Sequence, residues 1–193
     1  MKADRLADLV LLRLGENPEL CMHDTGAAGC TLRQLILAFV DECAAQAVAE
    51  TPTEQLSGWL PLAGATLTVD SSGRGLLSLP EDTLLLHSLR LESWQRPVTE
   101  FLPHSHWLRR LQRSRWHGLR GSAQKPLAFH AVDAYGHHAL ELFSCLPDDT
   151  VAEGHYMPKP HTDASGEISI PGAALERCVS LLVERIRASN SSA

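Results

Sequence analysis

The ten histidines are the first residues to test for chemistry, since clustered imidazoles are the commonest metal ligands. His104-x-His106 and the pair His137-His138 are the densest groups. Alternation along a strand would place His137 and His138 on opposite faces. Neither group has the helix-borne His-Glu-x-x-His spacing or the cysteine pair of a zinc site. We expect no metal, and a small metal-dependent hydrolase using these four histidines remains an alternative.

Motifs for nucleophilic catalysis or phosphate binding do not occur in the sequence. There is no Gly-x-Ser-x-Gly elbow, and the stretches Gly73-Arg74-Gly75 and Gly118-Leu119-Arg120-Gly121 fit neither the dinucleotide fingerprint nor the P-loop. Asp148-Asp149 follows Pro147, where aspartate favours a turn by local hydrogen bonding. The sequence therefore predicts no catalytic residue and no cofactor, and we expect a protein that is not an enzyme.

Charge is distributed unevenly along the chain. The segment from Arg90 to Lys125 contains eight basic and two acidic residues, a local charge of +6. Since the whole chain has a net charge of −6, the rest of the chain carries −12. Such a chain can present a basic face to nucleic acid, or bind its own acidic face head to tail in an oligomer. A solvated basic loop is the plainer alternative. The candidate interface or DNA-channel residues are Arg96, Trp107, Arg109, Arg110, Arg113, Arg115, Trp116 and Arg120.

The tryptophans among these arginines admit three interpretations. Aromatic rings can stack on the bases of single-stranded nucleic acid. Trp and Arg are also the residues that most often anchor protein interfaces, which is the interpretation we favour of these two. In the most ordinary outcome, Trp94, Trp107 and Trp116 simply complete the core beneath the loop.

Bulk composition indicates one folded domain. The chain has 193 residues, of which 44% are apolar and 21% charged, which is ordinary globular usage. No apolar run approaches a membrane span, and the first residues lack a signal-peptide pattern, so we expect cytoplasmic synthesis and no membrane contact. The cysteines are odd in number and scattered, which favours reduced thiols: Cys21, Cys30, Cys43, Cys145 and Cys178.

Three helices are predicted at the two ends of the chain. The first spans Ala3 to Leu14 and stops at Gly15. Thr31-x-x-Gln34 is a capping box that opens a second helix running to about Glu50. A last helix follows Pro171.

The middle of the chain has strand periodicity. Hairpins are predicted over 65–79 and 126–145, with strands over 83–94, 97–102 and 151–157 and a short helix over 105–112. Repeated strand–helix–strand units are lacking, so the predicted class is α+β: N-terminal helices and a C-terminal helix packed with an antiparallel β-sheet or small barrel. We expect a single domain with a helical part (1–52), a β-rich part (59–157) and a closing helix (171–188).

Three features along the chain, taken in order, carry a resemblance to a known family. The first is the pair of N-terminal helices. The second is Leu79-Pro80-Glu81-Asp82-Thr83-Leu84 running into Leu89-x-Leu91-x-x-Trp94-x-Arg96-Pro97. The third is Tyr156-Met157-Pro158-Lys159-Pro160, followed after a spacer by Ile170-Pro171 and an Ala-containing helix. In these features the chain resembles the head-to-tail adaptor proteins of tailed bacteriophages, including the tail tubular and ring proteins of short-tailed phages.

The resemblance implies an architecture and a set of partners. Such adaptors are helical bundles bearing an antiparallel sheet or small barrel, and they assemble as a homo-oligomeric ring, a dodecamer in many members. The ring docks under the portal protein, contacts a tail or nozzle protein and leaves a channel for DNA, so the expected location is the virion, assembled in the bacterial cytoplasm. The histidines and the Arg109–Arg120 cluster do not map onto the family. A nucleic-acid-binding module centred on that cluster is the alternative function.

Overall fold

In a computed structural model, the described residues are 1–17, 31–63, 65–114, 118 and 120–190, and they form four α-helices and eight β-strands. The helices are α1 (Ala3–Leu14), α2 (Leu32–Glu50), α3 (Trp107–Leu111) and α4 (Gly172–Asn190). The strands are β1 (Leu60–Pro61), β2 (Leu67–Val69), β3 (Arg74–Ser78), β4 (Thr83–Leu91), β5 (Phe101–Leu102), β6 (Ala128–Val132), β7 (His138–Phe143) and β8 (Val151–Pro158). A single 3₁₀ turn, Thr53–Gln55, follows α2.

The chain divides into two compact units. One unit is Met1–Gly58 together with Lys159–Ala193, and the other is Trp59–Pro158. The first therefore joins both ends of the chain, and the β-rich segment is inserted between them. The single adaptor-like domain with a helical part (1–52), a β-rich part (59–157) and a closing helix (171–188) stays a prediction.

Local signals set the ends of the helices in the first unit. The Thr31 hydroxyl accepts a hydrogen bond from the Gln34 backbone N–H at 3.2 Å, and the Gln34 side chain accepts from the Thr31 N–H at 2.9 Å, so the predicted capping box is formed. Gly15 closes α1 in the left-handed conformation, with φ 85°. All three predicted terminal helices are confirmed to within a few residues.

The three long helices bury one face each and pack on one another. Their shared core consists of aliphatic side chains and two thiols, with Leu6, Leu11, Ile36, Cys43, Cys178 and Leu182 among its buried residues. Exposed ion pairs link the helices at the rim, as between Arg185 and the carboxylate of Glu42 at 3.4 Å. The buried faces supply the stabilisation here, because exposed pairs contribute only a fraction of a kcal/mol each, roughly 0.2–1.

The β-rich unit contains two sheets. One has three antiparallel strands in the order β1-β8-β4, and the other has five in the order β2-β3-β7-β6-β5. The α+β class is confirmed, and both predicted hairpins and the predicted strands over β4 and β8 are present. The strands thus form two sheets, and in the second of them β5 pairs with β6 in parallel. Parallel pairing needs a crossover connection, and the long segment containing α3 provides one.

The segment before α3 is less regular than predicted. Of the strand expected over 97–102, only Phe101–Leu102 lies in β5, and Val98 forms an isolated bridge to Leu89. Trp94, just before this segment, is 2% exposed and belongs to the core of the unit together with Leu89, Leu91, Leu140 and Leu142. For Trp94 the core interpretation is therefore the correct one.

No helix within the described ranges is both long enough and apolar enough to cross a membrane.

Candidate functional site

The predicted basic residues do not form one uniform surface. Arg109, Arg110 and Arg113 line a cavity of about 200 Å³, and Arg113 and Arg120 line a larger one of about 620 Å³. Arg96 is exposed and lines neither cavity. Arg115 and Trp116 lie outside the described residues, so the structure carries no statement about them.

Helix α3 positions the first arginines of this group. His106 caps the helix, its Nδ1 accepting a hydrogen bond from the Leu108 N–H at 3.3 Å. Trp107 projects outward with 64% of its surface exposed, so it does not complete the core. It lines neither cavity, although its ring lies 5.7 Å from that of His106. Trp107 is thus available as a contact residue on the surface of the β-rich unit.

Glu141 is a buried carboxylate held between two arginines. It lies in β7 and is 2% exposed, and its Oε1 is 2.5 Å from the Arg74 Nε while its Oε2 accepts from the Arg109 Nε. Leu76 is the register partner of Glu141, so Arg74 is a diagonal neighbour on the same face. A buried carboxylate requires such pairing because desolvation otherwise penalises its charge. The charge of Arg109 is therefore largely compensated inside the protein.

A buried glutamine organises the chain beyond α3. The Gln112 Nε2 donates to the Leu108 carbonyl at 2.9 Å, and its Oε1 accepts from the Gly121 N–H at 2.7 Å. The Arg120 Nε donates to the Gln112 carbonyl at 3.0 Å. These bonds hold Gly121 and Arg120 against the end of α3, which places both beside the larger cavity.

Ser144 has strained backbone at the wall of the same cavity. Its φ is 67°, the only positive φ of a non-glycine residue in the described part of the chain. Its hydroxyl donates to the Gly121 carbonyl, and its own carbonyl accepts from the Trp94 Nε1 at 3.3 Å. The conformation is thus enforced from both sides. Backbone strain of this kind clusters at functional sites.

The larger cavity combines positive charge with polar groups. Arg74, Arg113 and Arg120 come from three separate segments and line it together with Gln112, Gly121, Phe143 and the hydroxyl-bearing Ser72, Ser122 and Ser144. Asp70 is the carboxylate in this lining, and one of its oxygens accepts three hydrogen bonds in the β2–β3 turn. Within the described residues no carboxylate pairs with Arg113 or Arg120. The cavity is therefore suited to attract an anion.

The four histidines considered as metal ligands lie in different local settings. His106 caps α3, His104 is exposed, and His137 lies in the β6–β7 turn, 3.5 Å by its Nδ1 from the Asp133 Oδ2. His138 starts β7, so His137 precedes the strand and the expected alternation between the two does not apply. Within the described ranges, no group of three or more His, Cys, Asp or Glu is arranged to hold a metal ion.

Of the Asp148-Asp149 pair, Asp149 has the local hydrogen-bonding role in a turn that the sequence predicts. Asp149 is buried and accepts hydrogen bonds from Ser93 N and Leu146 N at 3.0 and 2.8 Å, and from the Ser93 hydroxyl at 2.5 Å. Its carboxylate is thereby fully used in joining the turn after β7 to the end of β4.

The sequence did not predict a site role for three residues of this region: Arg74, Glu141 and Ser144. Glu141 alone left a signal, since a single carboxylate inside the apolar run of β7 is uncommon in a buried strand. The residues that meet it come from β3 and α3, distant in sequence, and no local pattern pairs them.

A comparison of the chain with models of protein families and with curated protein sequences finds no match.

Proposed function

We propose that the chain is a non-enzymatic structural subunit of a phage or prophage head–tail connector, forming a ring below the portal around the DNA channel. The observation that carries the proposal is the arrangement of the chain. Both ends form a three-helix unit, and a β-rich unit is inserted between them. That is the combination of helical bundle and sheet implied by the adaptor motifs in the sequence.

Surface features support assembly with other polypeptides. The β-rich unit exposes large apolar side chains, including Trp107, Tyr135 and Leu146, which in a ring would be covered by a neighbour. The basic segment of +6 and the acidic remainder of −12 suit head-to-tail contacts, in which unlike surfaces meet and the ring closes by rotation. The proposed partners are further copies of the chain, the portal protein and a tail or nozzle protein, in a virion assembled in the bacterial cytoplasm.

The test is the oligomeric state in two conditions. Size-exclusion chromatography with light scattering is run on the chain alone and with the portal protein, because adaptors can stay monomeric until they meet the portal. We expect a ring or a portal complex in at least one condition. Trp107→Ala, at a side chain 64% exposed, should weaken that assembly and leave the fold intact. A chain that stays monomeric and ignores the portal would contradict the proposal.

A nucleic-acid-binding module using the Arg109–Arg120 segment is the second candidate. The observation favouring it is that Arg110 and Arg113 are exposed and, among the described residues, form no ion pair with a carboxylate. Binding through phosphates would weaken steeply with salt. Replacing Arg110 and Arg113 should then reduce DNA affinity, whereas Arg109→Gln should matter less because Arg109 is paired with Glu141.

A further inference from the structure

The cavity of about 620 Å³ in the β-rich unit is the feature that neither the ring proposal nor the resemblance explains. Its volume lies within the range of pockets that take small ligands, about 300–1,000 Å³. Its described lining carries three guanidinium groups, which favours a ligand with negative charge.

We propose that this cavity is a binding site for a tetrahedral phosphate-type oxyanion, held by Arg113 and Arg120 with Arg74 at its edge. Guanidinium groups match phosphate in charge and in the fork geometry of their N–H donors. The Ser72 and Ser122 hydroxyls in the same lining supply further donors.

The charges of the residues around the cavity favour binding of an anion. Among the described residues, four arginines lie in or beside the cavity (Arg74, Arg109, Arg113 and Arg120), against the carboxylates of Asp70 and Glu141, which leaves a net charge of +2. Glu141 is shared by Arg74 and Arg109. The excess charge therefore resides on Arg113 and Arg120.

The framework around Arg120 is preorganised. The Arg120 Nε donates to the Gln112 carbonyl. The two terminal NH₂ groups of Arg120 can therefore donate hydrogen bonds to a ligand. Gln112 is itself buried and bound on both sides of its amide. A guanidinium anchored in this way loses less conformational entropy on binding a ligand than a free side chain does.

The strained Ser144 is an independent observation at the same wall. Its left-handed backbone is held by the Gly121 carbonyl and the Trp94 indole, and Gly121 is in turn fixed by Gln112. A left-handed conformation is uncommon for a residue other than glycine. The protein maintains it at the point where β7 ends beside the arginines, as expected for a wall shaped around a ligand.

The test is isothermal titration calorimetry with sodium phosphate as probe, at pH 7 and constant ionic strength set with chloride. Wild type should bind phosphate saturably. Arg113→Gln and Arg120→Gln should each weaken binding by roughly tenfold or more, because each removes a charge-assisted contact. Arg96→Gln is the matched control, since Arg96 is an exposed arginine of the same unit that does not line the cavity, and its affinity should equal that of wild type.

Two further arms identify the source of the phosphate. A short oligodeoxynucleotide is titrated with and without phosphate: DNA binding that phosphate competes away, and that Arg113→Gln removes, assigns the site to backbone phosphate. Phosphate binding without DNA binding assigns it to a free or small-molecule phosphate. Should Arg120→Gln fail to fold, Arg113→Gln carries the test, because the Arg113 side chain makes no hydrogen bond within the described residues.

Two results would overturn the inference. In the first, phosphate does not bind saturably and neither substitution changes DNA binding. In the second, the Arg113→Gln, Arg120→Gln double variant binds phosphate as tightly as wild type. The inference concerns the β-rich unit alone. Failure of ring assembly would leave the phosphate measurement unaffected, so the two proposals fail separately.

Discussion

At the scale of single residues, Glu141 shows how one buried charge organises its surroundings. Its carboxylate joins Arg74 of β3 to Arg109 of α3, so one side chain ties the five-stranded sheet to the helix that crosses between β5 and β6. The two arginines are only partly covered, with 42% and 26% of their side chains exposed. Solvent therefore screens the charges of the two arginines, and the free-energy cost of burying a charge falls mainly on the Glu141 carboxylate.

We expect Glu141→Gln to lower the free energy of unfolding by about 2 kcal/mol. The amide keeps the shape but leaves two arginines without a counter-charge; full burial of all partners would cost more, about 3–5 kcal/mol. Urea unfolding followed by circular dichroism measures the change. Glu153→Gln is the control, since its exposed pair with Arg90 at 3.8 Å should change stability by less than about 1 kcal/mol. Equal effects of both substitutions would show that the buried pairing is unimportant.

Residue identity alone predicted some of these roles and missed others. Helical periodicity locates the buried face of a single helix, and Cys43 in α2 and Cys178 in α4 lie on such faces. The pairing of Arg109 with Glu141 was not predicted, because it depends on how α3 lies on the sheet.

At the scale of elements, three tight turns in the described part of the chain share one design. In each, an aspartate side chain accepts hydrogen bonds from the N–H groups two and four residues later, and a glycine with positive φ occupies the position between: Asp70 with Gly73, Asp133 with Gly136, and Asp163 with Gly166. A side chain with a Cβ would be strained at that glycine. The first two turns lie within the hairpins that the sequence predicts. The third lies in the spacer before Ile170, where strand pairing is reduced to the isolated bridge Thr162–Ile168.

These turns make stability depend on pH. Hydrogen-bond donation from the His137 backbone N–H holds the pKa of Asp133 below its usual value. For Asp70 and Asp163, the largest cause of the lowered pKa is the hydrogen bond from the hydroxyl of Ser72 and of Ser165, respectively. A folded pKa below the unfolded one means that the stabilisation is fully present above about pH 4 and is lost as pH falls through the folded pKa.

We expect Asp133→Asn to be less stable than wild type at pH 7. This gap, the difference in unfolding free energy between the two proteins, should narrow as pH falls below about 4. The amide still accepts hydrogen bonds but carries no charge to strengthen them. Urea midpoints between pH 7 and pH 2.5 measure the gap. Asp148→Asn is the control, because this exposed carboxylate accepts no hydrogen bond from the described residues. A gap that stays constant or widens in acid would contradict the assignment.

At the scale of the whole molecule, the thiols report on each compact unit by itself. Cys178 and Cys43 lie in the core of the helical unit and Cys145 in that of the β-rich unit. Burial raises the pKa of both Cys145 and Cys178 to about 12, so neither thiol is ionised near neutral pH. Only the thiolate reacts readily with alkylating reagents.

The sequence predicts a single domain, so we expect Cys145 and Cys178 to become reactive at the same denaturant concentration. Iodoacetamide labelling across a urea series at pH 8, read by peptide mass spectrometry, gives the midpoint for each thiol. Cys21→Ser, Cys30→Ser background variants simplify the readout. The unfolded chain, in which both thiols have ordinary pKa values and react fully, is the control. Two separated midpoints would show two independently unfolding domains.

By itself, the sequence determined the secondary structure of most of the described chain and the α+β class, because caps, turn residues and hydrophobic periodicity act over only a few residues. It located the arginines correctly, yet it left their roles open. Only the tertiary structure decided that Arg109 is neutralised by Glu141, that Trp94 is core and Trp107 surface, that a parallel pair joins the second sheet, and that Arg74, Arg113 and Arg120 share a cavity. Those outcomes depend on contacts between residues far apart in the chain, where burial and charge pairing are set by packing, which a local pattern does not encode.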